Sequence, residues 1–311
     1  MSYGHLTSTW PVNSGVLVND SVAYFAAGII DHDGTYVFAV KAKTGELIWE
    51  NNSSGHLNAE LRKGVSVQGN LAIVGDQLVM AGGNLVSPAR YNLKTGKLAA
   101  PDLKDGNPRA NNGNFVGAFG ETIIAGGRIL LSSPRNVSNK NYFDAFGQGR
   151  QFRFNLGGIP PAWSDTGLAY VNTKYGKLAY ADAKTAADRI QKGYLSDGAR
   201  PARAWTRTLA QSLESEKELK WESTFGEKFE VLSLTLSPNA VVAVVRSQEM
   251  FRSQRQWWLT AFNPQNGRQM FRHELKTEPL PGGLLVDGKG QIVVAMLDGN
   301  VQAFGGENQP R

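Results

Sequence analysis

The chain repeats itself, and the repeat restricts the fold more than any other feature. Val22 to Gly28 alternates as a strand, a short loop follows, and Tyr36 to Ala42 forms a second strand. A Lys43-Thr44-Gly45 turn then leads into Glu46-Leu47-Ile48-Trp49. The second copy runs Gln77 to Gly83, Ala89 to Leu93, Lys94-Thr95-Gly96 and Lys97-Leu98. The two turn glycines are about 50 residues apart, a period that belongs to propellers and solenoids. In each turn glycine supplies the positive φ that a tight reversal requires, so the period has a mechanical cause.

Fainter copies extend the series. Leu168 to Asn172 and Gly176 to Thr185 repeat the unit with Ala186 where the turn glycine stands. Trp257 to Asn263 with Pro264-Gln265-Asn266-Gly267 repeats it again, and Gln291 to Phe304 stops before a fourth strand. The expected fold is an all-β propeller of four-stranded blades, about six of them, in a single domain over residues 1–311. The blades are placed at about Gly15 to Trp49, Val65 to Leu98, Phe115 to Phe154, Pro161 to Trp205, Glu230 to Leu275, and from Gly283 onward. The last blade lacks an outer strand, which Leu6-Thr7-Ser8-Thr9-Trp10 is placed to supply, because propellers protect their edges by ring closure. One short amphipathic helix is expected over residues 210–220, from the helix formers around Leu209, Leu213 and Leu219. Ser132 to Asp144 is a polar loop too long for a hairpin.

The pattern Val-Tyr-Phe, then Tyr-Ala-Leu-Asp-Ala-Lys-Thr-Gly, then Trp resembles the repeat of the PQQ-like (pyrroloquinoline-quinone repeat) β-propellers. That family includes quinoprotein dehydrogenases, the lipoprotein of the outer-membrane protein assembly machinery, and many secreted bacterial proteins of unassigned function. The segment from Ser8 to Gly69 is most similar to the last group. The resemblance implies a periplasmic or secreted protein. A fold of this kind predicts architecture far better than activity.

Composition excludes several chemistries. The 311 residues include no cysteine, which removes disulfides, thiolate nucleophiles and Cys-ligated metals. The net charge of +6 is scattered without a basic run, so a nucleic-acid partner is not expected. No apolar run reaches the length of about 20 residues that a membrane span needs. Met1-Ser2-Tyr3-Gly4-His5 lacks the layout of a signal peptide, so the expectation is a cytoplasmic protein or the processed, C-terminal part of a longer secreted one. The resemblance favours the second.

In a propeller, the loops before the first strand and between the second and third strands of each blade share one face. That funnel face is expected to carry Asp31, Asp33, His56, Gln68, Asn84, Arg135, Asn136, Arg252 and Asp298 as ligand-binding residues. Asp31-His32-Asp33 reads either as two carboxylates around an imidazole or as an Asp-Gly hairpin turn, and it lacks the further spaced ligands of a calcium loop. Arg135 and Arg252 could clamp a carboxylate or phosphate in bidentate fashion, or stand as solvated loop arginines. His5, His56 and His273 show no metal-ligand spacing, so no metal site is expected. No Gly-x-Ser-x-Gly elbow, phosphate loop or dinucleotide fingerprint is present, and no catalytic residue is assigned. Trp49, after its Thr-Gly turn, is expected to pack between blades.

The function expected is non-catalytic binding of a small molecule, glycan or protein at the funnel face, with no cofactor. The resemblance implies as alternative a quinoprotein oxidoreductase that holds PQQ and calcium in the funnel. Such enzymes commonly carry a vicinal Cys-Cys pair, which this chain lacks. A carbohydrate-binding or carbohydrate-active propeller is the second alternative.

Overall fold

Three turns of the chain adopt one geometry. The amide of Gly45 donates to Lys41 O, that of Gly96 to Asn92 O and that of Gly267 to Asn263 O, at 2.8–2.9 Å. All three glycines sit at positive φ, between 65° and 72°. The turns at Gly45 and Gly267 join the third and fourth strands of their sheets, that at Gly96 leads from a third strand to an isolated bridge between Tyr91 and Leu98, and around them the computed structural model describes residues 8–29, 33–57, 64–83, 86, 88–99, 115–119, 122–125, 128–131, 152–153, 159–172, 177–195, 213–214, 217–225, 229–249 and 251–305.

The chain divides into two units, residues 1–152 and 153–311. In the first unit, β1 (Leu17–Asn19), β2 (Val22–Ala27), β3 (Tyr36–Lys41) and β4 (Leu47–Asn51) form one antiparallel sheet in sequence order. A second sheet holds β5 (Leu71–Val74), β6 (Gln77–Met80) and β7 (Ala89–Asn92). A third holds β8 (Val116–Phe119), β9 (Thr122–Ala125), β10 (Arg128–Leu131) and β11 (Phe152–Arg153). The core of the unit lies between the first two sheets, where Tyr24, Val37 and Trp49 meet Leu71, Leu78, Met80 and Tyr91.

The second unit contains β12 (Ala162–Trp163), β13 (Gly167–Asn172), β14 (Lys177–Asp182) and β15 (Trp221–Thr224) in one sheet. The next sheet is β16 (Phe229–Leu236), β17 (Val241–Ser247), β18 (Trp257–Phe262) and β19 (Gln269–Leu275). The last is β20 (Pro279–Val286), β21 (Ile292–Met296) and β22 (Val301–Phe304). β17 is apolar from Val241 to Val245 because it is covered there on both faces. Val241, Ala243 and Val245 point into the core shared with the preceding sheet, and Val242 and Val244 into the core shared with the following one.

The architecture is an all-β propeller type with a helix, and the structure corrects the expectation in four places. Among the described residues four sheets have four strands and two have three, so the expectation of about six uniform four-stranded blades gives way to blades of three or four strands. The helix α1 spans Ala183–Leu195, inside the β14–β15 connection rather than at residues 210–220. Its cause is local: Ala186 replaces the turn glycine, alanine avoids positive φ and favours helix, and the chain therefore continues into a helix instead of reversing. Leu213 and Glu214 are also helical, residues 217–220 are not, and positions 210–212 and 215–216 lie outside the described residues. The sheet that begins at β12 closes at Thr224 and not at Trp205, because the insertion carries its fourth strand downstream. Trp205 and the loop from Ser132 to Asp144 lie outside the described residues. Ser8, Thr9 and Trp10 are not in a strand, and Trp10 packs edge-on against Tyr36 at 5.5 Å.

Candidate functional site

Antiparallel pairing sends the β2–β3, β4–β5 and β6–β7 connections to one edge of the first two sheets. Ala27 pairs with Tyr36 and Val37 with Asn51, while Met80 faces both Leu71 and Ala89. Asp31 and Asp33 belong to the first connection, His56 and Gln68 to the second, and Asn84 to the third; Asp31 and Asn84 lie outside the described residues.

Two buried peptide units tie these connections together. Thr35 Oγ1 donates to Val65 O at 2.5 Å, Val65 N donates to Ser54 O at 2.9 Å, and Ser66 N donates to Gly82 O at 3.0 Å. Val65 is fully buried, so these bonds lack competition from water. Asn13 Nδ2 donates to Val67 O at 2.9 Å, and Trp10 Nε1 donates to Asp33 O at 2.6 Å, which brace the rim. Below it, the Tyr91 hydroxyl donates to Ser54 Oγ at 3.0 Å, and burial pushes that phenol's pKa well above the ordinary tyrosine value. His56 is exposed on the 3₁₀ turn Ser54–His56, and Gln68 is half-buried.

The other expected residues are distributed differently. Arg135 and Asn136 lie outside the described residues, and β10 ends beside the start of β9, Leu131 opposite Thr122. The chain therefore leaves β10 at the edge of the β8–β9 turn. In the second unit, Arg252 begins the 3₁₀ turn Arg252–Gln254 in the β17–β18 connection. Asp298 occupies the β21–β22 turn, where its Oδ1 accepts from Asn300 N at 2.9 Å. That bond holds its exposed carboxyl below the ordinary aspartate pKa. Its geometry is that of a turn cap. Among the described residues no three His, Asp or Glu side chains gather as a metal centre.

Sequence reading missed a cleft in the second unit, between the outer strands β15 and β19. Its volume is about 110 Å³, and its lining includes Phe225, Phe229, Trp258, Phe262 and Arg272. Phe229 meets Trp258 edge-on at 5.4 Å and Phe225 meets Phe262 at 5.6 Å. The Arg272 guanidinium lies 4.1 Å from the Trp258 ring centroid and 5.9 Å from that of Phe229. The available signal was the two-residue alternation Trp258, Thr260, Phe262 on one face of β18.

No helix among the described residues is long and apolar enough to cross a membrane. No curated protein shows significant similarity to the chain. Many solved structures are similar at low identity, three of them as follows. A candidate 6-phosphogluconolactonase from Bacteroides uniformis is 14% identical over 93% of this chain and 79% of its own, with a TM-score of 0.49. Hsv2 of Kluyvelomyces marxianus is 10% identical over 90% of this chain and 73% of its own, TM-score 0.47. The WD40 β-propeller domain of Doa1 is 12% identical over 96% and 94%, TM-score 0.42. Likenesses this remote say nothing about activity. Residues 7–192 match the family model described as outer membrane protein assembly factor BamB, and with well over half of its length covered the chain belongs to this family of PQQ-like repeat proteins.

Proposed function

We propose that the protein is a non-catalytic binding domain, which presents a ligand or partner protein with the braced loop edge of its first unit. The observation that carries this reading is the Val65–Ser66 junction, whose peptides hold three separate connections through Thr35, Ser54 and Gly82. Such an edge supplies polar groups, Asp33, His56 and Gln68 among them, from segments whose positions are set before a ligand arrives. Preorganisation of this kind lowers the cost of binding. Asp31 and Asn84 belong to the same surface in this reading, and Arg252 and Asp298 serve the corresponding loops of the second unit. The domain works without a quinone or calcium. Family membership supports a periplasmic or secreted location and an interaction role, since the family is described for an assembly factor.

Purified protein is titrated with PQQ and calcium in a spectrophotometer, applied to a glycan array, and used as bait with a photo-crosslinker placed at Ser53, exposed in the same connection as His56. The expected result is a specific crosslinked partner or glycan signal that weakens in steps through Asp33→Ala, His56→Ala and Gln68→Ala. A saturable PQQ spectrum with dye-linked alcohol oxidation would replace this reading with the oxidoreductase one.

A further inference from the structure

The cleft between β15 and β19 combines three properties that rarely occur together on a solvated surface. Its walls carry four aromatic rings, Phe225, Phe229, Trp258 and Phe262, among polar side chains such as Thr224, Thr260 and Gln269. Its mouth holds a guanidinium, Arg272, already oriented by stacking on Trp258. Among the described residues no ion pair engages that guanidinium, in contrast to Arg246 with Glu230 at 2.7 Å and Lys177 with Glu222 at 3.0 Å in the neighbouring strands. A third strand-level feature adjoins it: β19 is the last strand of its sheet, no strand pairs with its outer edge among the described residues, and Gln269 to Glu274 are exposed.

Size selects the class of ligand. Small-molecule sites enclose roughly 300–1,000 Å³, whereas this cleft offers about 110 Å³, room for one side chain. A pocket of that size, lined by aromatics, receives the anchor residue of a protein interface. This cation calls for a carboxylate on the same face of the segment as the anchor, and a chain of net charge +6 attracts an acidic partner. The free edge of β19 offers backbone donors and acceptors to an extended segment.

We propose that this cleft docks an extended acidic segment of a partner protein. One apolar or aromatic side chain enters the cleft, a carboxylate two residues away on the same face of the segment pairs with Arg272, and the segment's backbone adds alongside β19. This surface is separate from the loop edge of the first unit and stands whether or not that edge binds a ligand.

The test uses the full chain and fluorescein-labelled acetyl-Thr-Phe-Val-Glu-Val-Thr-amide, whose Phe and Glu share one face of an extended strand, with fluorescence anisotropy as readout. Saturable binding is expected, about tenfold weaker for the peptide with Gln in place of Glu and about tenfold weaker with Ala in place of Phe. Arg272→Gln should weaken the Glu peptide about tenfold and leave the Gln peptide unchanged, whereas Arg272→Lys, which keeps the charge, should recover part of the loss. Thermal melts of each variant separate lost binding from lost folding, and if Arg272→Gln does not fold, Arg272→Lys alone must still discriminate less between the two peptides than the parent. No saturation at millimolar peptide, equal affinity for the Glu and Gln peptides, or an equal effect of Arg272→Gln on both would overturn the proposal. Binding of N-acetylphenylalanine as tight as that of the peptide would also overturn it, because the site would then serve a free carboxylate ligand. Failure here leaves the loop-edge reading untouched.

Discussion

Trp49, in the outer strand of the first sheet, lies directly on Gly96, in the turn of the second. A β-carbon built on Gly96 would overlap the six-membered part of the indole, and Trp49 Nε1 donates to Leu93 O of the same turn at 2.8 Å. The second unit repeats the arrangement with different residues: Trp221 Nε1 donates to Pro264 O at 2.8 Å, and a β-carbon on Gly267 would stand 2.7 Å from the indole. In both, the glycine serves two purposes, positive φ and close approach. Neighbouring sheets are thereby fastened at their outer strands as well as through their cores.

Trp49→Ala should cost about 3–5 kcal/mol, read from urea unfolding. Gly96→Ala should cost more than Gly45→Ala, because both need positive φ but only Gly96 is covered by a ring; nothing lies within 4 Å of a β-carbon on Gly45. With Trp49 already removed, Gly96→Ala should lose most of that excess, since the two residues are coupled through one contact. Additive costs would show that the indole does not limit the turn.

Trp221→Phe keeps most of the ring stacking on Tyr180, whose centroid is 5.4 Å away, but removes the bond to Pro264 O. The expected loss is about 1 kcal/mol, smaller than for Trp221→Ala, and denaturant midpoints for the two variants check it.

Ala186→Gly should weaken α1 by about 1 kcal/mol, visible as reduced helical signal in circular dichroism. A stable variant with restored hairpin signal would instead show that the glycine alone decides between reversal and helix.

Alkaline stability should decline from about pH 10 upward. Tyr91 and Tyr170 both have raised phenol pKa values, chiefly through burial, with Glu214 and Glu222 adding to the effect at Tyr170. The unfolded chain loses these protons first, so their contribution is complete below the ordinary tyrosine value and disappears as pH climbs toward the raised ones. Tyr91→Phe should flatten this decline, as followed by melting temperature between pH 8 and 11.

Asp298 gives the opposite sign. Its carboxyl is held low by the Asn300 amide, so its contribution is present above the ordinary aspartate value and is lost as pH falls through the lowered one. A carbon-13 NMR titration should place its midpoint below that of a free aspartate. Asp298→Ala should lower stability near neutrality, differ little from the parent at low pH, and so flatten the acid limb.

Much of the fold could be read directly because its signals are local. Alternation in Tyr36 to Lys41 marks which side chains are buried, the Lys-Thr-Gly turns mark reversals, and both depend only on neighbouring residues. The same locality misled at Ala186, where loss of one glycine changed a turn into a helix and moved the strand-closing tryptophan from the expected Trp205 to Trp221. Positions such as Asp33, His56 and Gln68 could be assigned to loops but not to a common anchor, because Val65 joins them by bonds between residues 11 to 30 apart in sequence.

By itself the sequence determined the repeat, the class of fold and the residues at each reversal, since period-two burial and positive φ are properties of short segments. Tertiary structure alone decided which tryptophan sits on which turn, that Val65 and Ser66 tie three connections together, and that Phe225, Trp258 and Arg272 share one cleft. The reason is physical: a side chain's neighbours across two sheets are set by how the sheets pack, and packing distributes its specificity over many distant contacts that no short stretch of sequence contains.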